Sequence, residues 1–453
     1  MTKVLFLVSR PGLGHIRCAE SIGAALARIQ PQSDSHQKDA FETDMLDIHD
    51  LLDGRVSDAI IDGYLRMTRE QPALYQRLYD LDHNLYRQLC GEIPADRAIA
   101  DFLTDQQRQW FPEFATREWY SRPRVNFDQA LLNTLVNGVR RSYTMPPNRY
   151  LMRGLLLLIY RVLARRLRDA VSERQADILV ATQMYPNALL SPARKTGQLC
   201  QPLIGVITDY GVHGVWVRAA TDYYCVPHTH TARQLHSKGV PWERILITGI
   251  PLMPHFAEPH DQCEVRTRLA LPQRPTVLVT GGEYALGTQE AVRRLVQSAE
   301  GPMVLVTTSR HNSASRELDD LARAWPQRLR VCSWSDHMPL LMSAADVVVG
   351  KAGGLTISES LACGRPFIAT CSLGGQEGHN VHFLEQQGVG LRLDPEQLTA
   401  FLNNLFSAPA ELHAWQARAA TIGRRHAARA IAELVSRCAA NPPRRGEGHA
   451  YPN

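Results

Sequence analysis

Short apolar runs alternate with amphipathic stretches along most of this chain, a pattern typical of parallel sheets with crossover helices. The runs in the first half predict strands at residues 3–8, 177–181, 203–208, 223–226 and 245–248. Those in the second half predict strands at residues 276–280, 303–307, 329–332, 347–349 and 366–369. Helical patterns lie between several of them, so the sequence predicts two doubly wound α/β halves.

The two halves meet at a Pro-rich break after residue 250. At 453 residues the chain is too long for one ordinary core, so two domains are expected. We predict an N-terminal domain over residues 1–250 and a C-terminal domain over residues 258–438. The strand pattern stops between about residues 51 and 172, which predicts a helical insertion in the first domain. The Pro/Gly-rich residues 441–453 predict a flexible tail.

The composition mainly argues against certain classes of protein. The formal net charge of +5 is mild for this length, so nucleic acid is not an expected partner. The nine cysteines include no pair with C-x-x-C spacing, which argues against a zinc ribbon or a disulfide framework. No apolar run is long enough for a signal peptide or a membrane span. A cytoplasmic protein, soluble or peripheral to a membrane, is therefore expected.

The most informative segment is the apolar run that ends at Gly350 and leads through Gly353 and Gly354 into a predicted helix. Such a turn directs backbone N–H groups and the positive end of a helix dipole at one point, which favours phosphate. Thr356 and Glu359 also fit a capping box, which is the simpler alternative. A second glycine turn, at residues 374–380, offers side chains that can hydrogen-bond hydroxyl groups. Together the two turns predict a nucleotide-sugar site.

His15 follows the first strand in a Gly-Leu-Gly-His turn whose next fingerprint position is Arg17, so a dinucleotide fold is not indicated. A histidine at a helix start has a lowered pKa and can act as a base, although a structural role is equally open. Asp209, His213 and Trp216 come just after another predicted strand. They fit an acceptor site; the alternatives are that Asp209 is an N-cap and that Trp216 packs in the core.

The predicted insertion carries aromatic residues, Trp110 and Trp119 among them, with arginines between them. Residues 140–170 then hold eight arginines against a single acid, Asp169. Arginines next to aromatic residues suit the headgroup layer of an anionic membrane. The four arginines that we assign to this surface are Arg161, Arg165, Arg166 and Arg168. An ordinary helix pair packed on the core is the alternative.

These motifs give the chain a recognisable likeness. It resembles the monogalactosyldiacylglycerol synthase and processive diacylglycerol glucosyltransferase group, which shares a glycosyltransferase family with the lipid II-forming N-acetylglucosaminyltransferase. The likeness rests on the motifs at residues 12–15, 208–226, 248–251, 351–359 and 375–380. The chain departs from the pattern at Glu283, where relatives have more glycine, and at Gly374, where many have proline.

The resemblance implies a GT-B fold of two Rossmann-like domains, a UDP-sugar donor, inversion at the transferred sugar, and no required metal or other cofactor. It implies that His15 and Asp209 activate the acceptor and that Asn380 supports the second turn. The residues it assigns to the donor are Gly14, Gly282, Lys351, Gly353, Gly354, Leu355, Thr356, Glu359, Gln376, Glu377 and Asn380. Within this set the residues at 353–356 would hold the diphosphate, Glu359 the ribose, and Gln376 with Glu377 the sugar.

The expected function is therefore transfer of a hexose from a UDP-sugar to a lipid, with diacylglycerol as the expected acceptor. Such a protein would lie on the inner face of the cell membrane. Two other functions use the same kind of cleft: a UDP-sugar epimerase and a non-catalytic nucleotide-sugar sensor. The sequence does not specify the sugar.

Overall fold

In the computed structural model, the residues described are 1–10, 13–29, 41–52, 57, 149–218, 220–280, 288–298, 301–308, 315–333, 337–371 and 375–443. Most of the predicted insertion lies outside these ranges, and so do Trp110, Trp119, Gly282 and most of the predicted tail. The expectations for those residues stay predictions.

The first half of the chain forms one six-stranded parallel sheet. Its strands are β1 (Thr2–Val8), β2 (Phe41–Asp47), β3 (Ile178–Ala181), β4 (Leu203–Val206), β5 (Tyr223–Val226) and β6 (Ile245–Ile247). Their spatial order is β2-β1-β3-β4-β5-β6. Five of the six were predicted; β2 was missed because its sequence, Phe-Glu-Thr-Asp-Met-Leu-Asp, is largely polar. It can be polar because it is an edge strand, exposed along much of its length.

The second half forms another six-stranded parallel sheet. Its strands are β7 (Thr276–Thr280), β8 (Met303–Thr308), β9 (Leu329–Ser333), β10 (Val347–Lys351), β11 (Phe367–Cys371) and β12 (Gly390–Arg392). The order is β12-β11-β10-β7-β8-β9. The order reverses between β7 and β10, and ligands bind at such switch points, outside the carboxyl ends of the strands. The loop after β10 is the glycine turn that the sequence singled out.

Helices cover both faces of the two sheets. They are α1 (Leu13–Leu26), α2 (Arg149–Arg174), α3 (Met184–Lys195), α4 (Thr229–Ser237), α5 (Gln262–Arg268), α6 (Thr288–Gln297), α7 (Ser315–Ala324), α8 (Met338–Ala344), α9 (Gly354–Ala362), α10 (Gln376–Gln387), α11 (Pro395–Phe406), α12 (Pro409–Ile422) and α13 (Ala427–Ala440). Within the described ranges, no helix has the length and apolar character that crossing a bilayer requires.

Each sheet is buried on both faces. On β1, Leu5 and Leu7 point toward α2 and α3, whereas Phe6 and Val8 point toward α1. The second face of the first sheet is completed by α13, whose apolar side packs there although α13 follows the second sheet in the chain. The last helix therefore ties the two halves together, and the predicted boundaries at residues 250 and 258 remain predictions.

Candidate functional site

The N-terminus of α9 is built as the glycine turn predicted. Strand β10 ends at Lys351, Gly353 is the N-cap, and no side chain caps the helix. The first intrahelical bond runs from Ile357 N–H to the Gly353 carbonyl, 3.0 Å. The N–H groups of the preceding first turn have no intrahelical partner by the geometry of any α-helix. The capping-box alternative, with Thr356 as the N-cap, is not observed.

Glycine at position 354 is required by the opposite domain. A Cβ at Gly354 would overlap the carbonyl oxygen of Thr208, which follows β4, and would lie 3.2 Å from the Cα of Asp209. Gly14 also faces this helix, since a Cβ there would lie 3.8 Å from the Cβ of Leu355. The start of α9 therefore lies against the carboxyl edge of the first sheet.

Glu359 lies on α9, half-buried. Burial raises the pKa of its carboxyl group to about 8, and the positive charge of Arg17 on α1 opposes that rise. The oxygens of a carboxyl group that has lost much of its water can accept hydrogen bonds from ligand hydroxyl groups, as the ribose assignment requires.

The second glycine turn lies at the start of α10. Gly375 is the N-cap with φ of 54° and ψ of −124°, a conformation that favours glycine. Gln376 is half-buried, and Glu377 is buried and forms an ion pair with Lys351 at the end of β10. This ion pair joins the two turns, so their predicted donor-site residues are brought together.

His15 lies in the first turn of α1, at the carboxyl edge of the first sheet. Its Nδ1 is 2.9 Å from the carbonyl oxygen of Thr182 and 3.2 Å from the hydroxyl of Thr208. A carbonyl only accepts, so Nδ1 carries the proton and Nε2 is the basic nitrogen. Burial lowers the pKa of His15, while the charge of Asp209 and the Thr182 carbonyl oppose that shift. The neutral, base-competent form is thus favoured.

Asp209 is the second candidate for acceptor activation. Burial raises the pKa of its carboxyl group. A hydrogen bond from Asn380 and the nearby His15 oppose part of that rise. The bond runs from Asn380 Nδ2 to Asp209 Oδ1, 3.0 Å. Asp209 and His15 influence each other's pKa, so the structure brings the two candidates together.

Tyr210 is an interdomain residue that the sequence reasoning missed. It belongs to the first half of the chain but is buried in the core of the second domain. Its ring stacks on Phe383 with centroids 3.8 Å apart, and its hydroxyl is 2.9 Å from the hydroxyl of Ser358. An aromatic residue next to a candidate catalytic carboxylate was the one available signal.

The assignment of Trp216 to the acceptor or membrane surface was wrong. Its side chain is 4% exposed and packs in the core beside α3. Its carbonyl accepts hydrogen bonds from Asn187 and Tyr224, which hold this turn in place. His213 is also buried, as the N-cap of the short helix at residues 214–216. Core packing, the alternative weighed for Trp216, accounts for its position, and capping, which had been weighed for Asp209, is the role of His213.

The four arginines of α2 that we assigned to the membrane surface do not behave alike. Arg161 and Arg165 are exposed. Arg166 donates to the carbonyl of Leu51, 2.7 Å, and Arg168 binds Asp169 and Gln198. Arg165 lies 4.0 Å from Asp169, but its side chain is 70% exposed, so Arg161 and Arg165 are the two of the four that present most of their surface to solvent.

Two segments of the chain match known families. Residues 135–252 match the family described as monogalactosyldiacylglycerol (MGDG) synthase, and residues 276–435 match the glycosyltransferase family 28 C-terminal domain. A processive diacylglycerol beta-glucosyltransferase of Bacillus licheniformis is 28% identical over 231 residues. That alignment covers 50% of this chain, and the chain spans 59% of the relative's length.

Solved structures share the fold over almost the whole chain. Acinetobacter baumannii MurG superposes with a TM-score of 0.53 at 12% identity, covering 96% of this chain and 100% of that one. A putative UDP-N-acetylglucosamine 2-epimerase from Listeria monocytogenes superposes with a TM-score of 0.50 at 14% identity, covering 99% of both chains. The expected fold of two facing parallel-sheet domains is confirmed. The chain is thus similar in sequence to monogalactosyldiacylglycerol synthase, to the glycosyltransferase family 28 C-terminal domain and to a processive diacylglycerol beta-glucosyltransferase, and it has the GT-B fold.

Proposed function

We propose that this chain is an inverting glycosyltransferase that moves a hexose from a UDP-sugar to diacylglycerol. The single observation that carries the proposal is the contact between the domains at Thr208. Its carbonyl oxygen lies against Gly354, at the start of the helix suited to phosphate. Its hydroxyl lies 3.2 Å from Nδ1 of His15. The helix start suited to phosphate and the imidazole ring of His15 therefore lie on either side of one residue.

On the donor side, the first-turn N–H groups of α9 bind the diphosphate of UDP. Glu359 accepts from the ribose hydroxyls, and Gln376 with Glu377 binds the hydroxyls of the sugar. As the bond from the anomeric carbon to the phosphate oxygen breaks, negative charge grows on the diphosphate. The helix dipole and Lys351 stabilise that charge, which is the work that a metal ion does in other transferases.

On the acceptor side, Nε2 of His15 removes the proton of the lipid hydroxyl. The hydroxyl oxygen attacks the anomeric carbon from the side opposite UDP, so the configuration inverts. The carboxylate of Asp209 stabilises the imidazolium that forms. The proton then passes to solvent when the glycolipid and UDP leave.

The lipid acceptor fits the residues matched to MGDG synthase and the relative that acts on diacylglycerol. We further propose that the protein binds the inner face of the cell membrane through α2 and needs no metal ion. Fold likeness alone does not separate transfer from epimerisation, since MurG and a putative epimerase are both structural neighbours. The matched families and the relative with 28% identity favour transfer.

Incubation of the protein with labelled UDP-glucose, UDP-galactose and UDP-N-acetylglucosamine, in vesicles that contain diacylglycerol, tests the proposal. Label from one donor should enter the organic extract as a β-glycoside, and a chelator should leave the rate unchanged. Interconversion of UDP-sugars without lipid labelling would indicate an epimerase. UDP-sugar binding without any turnover would indicate a sensor.

A further inference from the structure

The carboxamide of Asn380 joins the two domains. Its Nδ2 donates to Asp209 Oδ1 and to the carbonyl oxygen of Ala352, both at 3.0 Å. Its Oδ1 accepts from the backbone N–H of Tyr210, 2.8 Å. The side chain is fully buried, so no water replaces these partners. The opposite amide orientation would set like groups against each other, so the orientation is fixed.

The position of Asn380 in α10 links it to the donor side. It lies one turn beyond Gln376 and Glu377, on the helix that begins at the second glycine turn. Glu377 is held by Lys351, and Ala352, the acceptor of Asn380, follows Lys351 directly. The turn after β10 and the helix α10, which are both assigned to the donor, therefore meet at the carboxamide of Asn380.

The position of Asp209 links the same carboxamide to the acceptor side. Asp209 lies beyond β4 on the first domain and is electrostatically coupled to His15. A carboxylate withdrawn from water needs hydrogen-bond donors to stay charged and in place. Asn380 supplies one from the opposite domain.

We propose that Asn380 is the positioning residue of Asp209, so that the carboxylate stands charged beside His15 only while the donor-binding helix is docked. The inference rests on the proposed function, because it assumes that Asp209 supports His15 as the base. Reaction is thereby tied to the donor site, because the group that holds Asp209 lies on the helix that carries Gln376 and Glu377.

A double-mutant cycle tests this role. Asn380→Asp keeps an oxygen for Tyr210 N–H but sets a carboxyl group against Asp209. It should lower kcat about 10- to 100-fold, the effect of losing a hydrogen bond to a charged group. UDP affinity should change less than about 3-fold, because Asn380, which the resemblance places with the donor residues, is fully buried and its carboxamide bonds to protein groups. The acid limb of the pH–rate profile should move to higher pH, because a second carboxyl group raises the pKa of its neighbours.

In an Asp209→Asn background the same substitution should cost less than about 3-fold, since residues that act through one another are not additive. Ser358→Ala is the matched control: it removes the partner of the Tyr210 hydroxyl at the same interface but does not touch Asp209. It should leave the pH profile unchanged. Asn380→Ser, which is smaller and uncharged, is measured with Asp209 and with Asp209→Asn in the same way. The test therefore does not depend on the folding of one variant.

The inference would be overturned if Asn380→Asp lowered kcat equally with Asp209 and with Asn at position 209, or if Ser358→Ala lowered kcat as much. Asn380 would then only hold the domains together. A parallel fall in UDP affinity would overturn it too, since Asn380 would then be a donor-binding residue. Failure of the proposed function looks different: the unsubstituted protein itself would transfer no sugar to lipid.

Discussion

Gly354 lies directly against the carbonyl group of Thr208, so the two domains meet main chain to main chain at the proposed reaction centre. Contact this close leaves no room for a side chain. It also aligns the N-terminus of α9 with the carboxyl edge of β4, which is the arrangement that a transfer between the two domains requires. The glycine that the sequence suggested for phosphate therefore has a second task, which is to let the domains approach.

Gly354→Ala should lower transfer at least about 10-fold, because a Cβ there overlaps Thr208 and overpacking of this kind costs about 1–3 kcal/mol. UDP affinity should fall less, since the N–H groups of α9 remain. Gly378→Ala is the matched control, as an exposed position of α10 where a Cβ meets nothing within 4 Å. Transfer assays and calorimetry compare the two, and normal transfer by Gly354→Ala would show that this contact is not needed.

His15→Ala should reduce turnover about 10²- to 10⁴-fold, the usual contribution of a general base, with UDP affinity nearly unchanged. His236→Ala is a suitable control because His236 is exposed on α4, and its Nδ1 contacts the carbonyl of Val240 much as His15 contacts Thr182. Near-normal turnover in His15→Ala would move the role of base to Asp209.

The pH dependence of kcat/KM offers an independent reading of His15. Burial lowers its pKa, so the base stays neutral, and activity persists, to a pH below the ordinary histidine value of 6.5. The charge of Asp209 opposes that shift, so Asp209→Asn should move the acid limb to still lower pH. An acid limb that stays in place in Asp209→Asn would mean that the two groups are not coupled in solution.

Glu359→Gln should weaken UDP binding by about 1–3 kcal/mol and also stabilise the nucleotide-free protein at high pH. The pKa of Glu359 is raised from 4.5 to about 8 by burial. Between those two values the unfolded chain gives up a proton that the folded chain keeps, so stability falls as pH rises.

Glu359→Gln removes this fall in stability with rising pH. The gain over the unsubstituted protein should be absent below pH 4.5 and grow to a few kcal/mol by pH 8, since each pKa unit corresponds to about 1.36 kcal/mol and the partial exposure of Glu359 reduces the full value. Thermal unfolding across this range measures the gain, with Glu385→Gln on the exposed side of α10 as control. A gain that does not depend on pH would show that Glu359 is not buried as a neutral acid.

The elements that the sequence predicted well are those whose burial is uniform. Strands such as β5 and β7 are apolar runs between two covered faces, so their bounds follow from composition. β2 and β12 were missed because an edge strand and a three-residue strand leave little apolar signal. The glycine turns were found for the same local reason, since glycine marks special backbone geometry.

The contacts that complete the site could not be read from the sequence. Asp209 and Asn380 are 171 residues apart, and only the packed domains bring them together. The Thr182 carbonyl that sets the His15 tautomer is main chain, so no side-chain pattern marks it. Trp216 was misassigned because an indole that follows a strand together with Asp209 and His213 gives the same sequence pattern in a core and in a binding site.

The arginines of α2 give the last prediction. Arg161 and Arg165 are exposed and, with Arg168, line a groove of about 310 Å³ whose other wall is the apolar side of α3. Each exposed arginine near an anionic surface contributes about 1 kcal/mol. Replacing Arg161 and Arg165 with glutamine should therefore lower binding to anionic vesicles about 10- to 30-fold.

Neutralising Arg161, Arg165, Arg166 and Arg168 together should release the protein from anionic vesicles. Arg166→Gln alone should lower the unfolding temperature and change membrane binding little, because Arg166 donates to the Leu51 carbonyl. Arg323→Gln with Arg429→Gln removes the same charge from exposed positions of α7 and α13 and serves as the control. Sedimentation with anionic and neutral vesicles, at low and high salt, separates these effects. If both double variants lose binding equally, net charge rather than α2 attracts the protein. Binding without any preference for anionic lipid, and without any response to salt, would leave these arginines a structural role only.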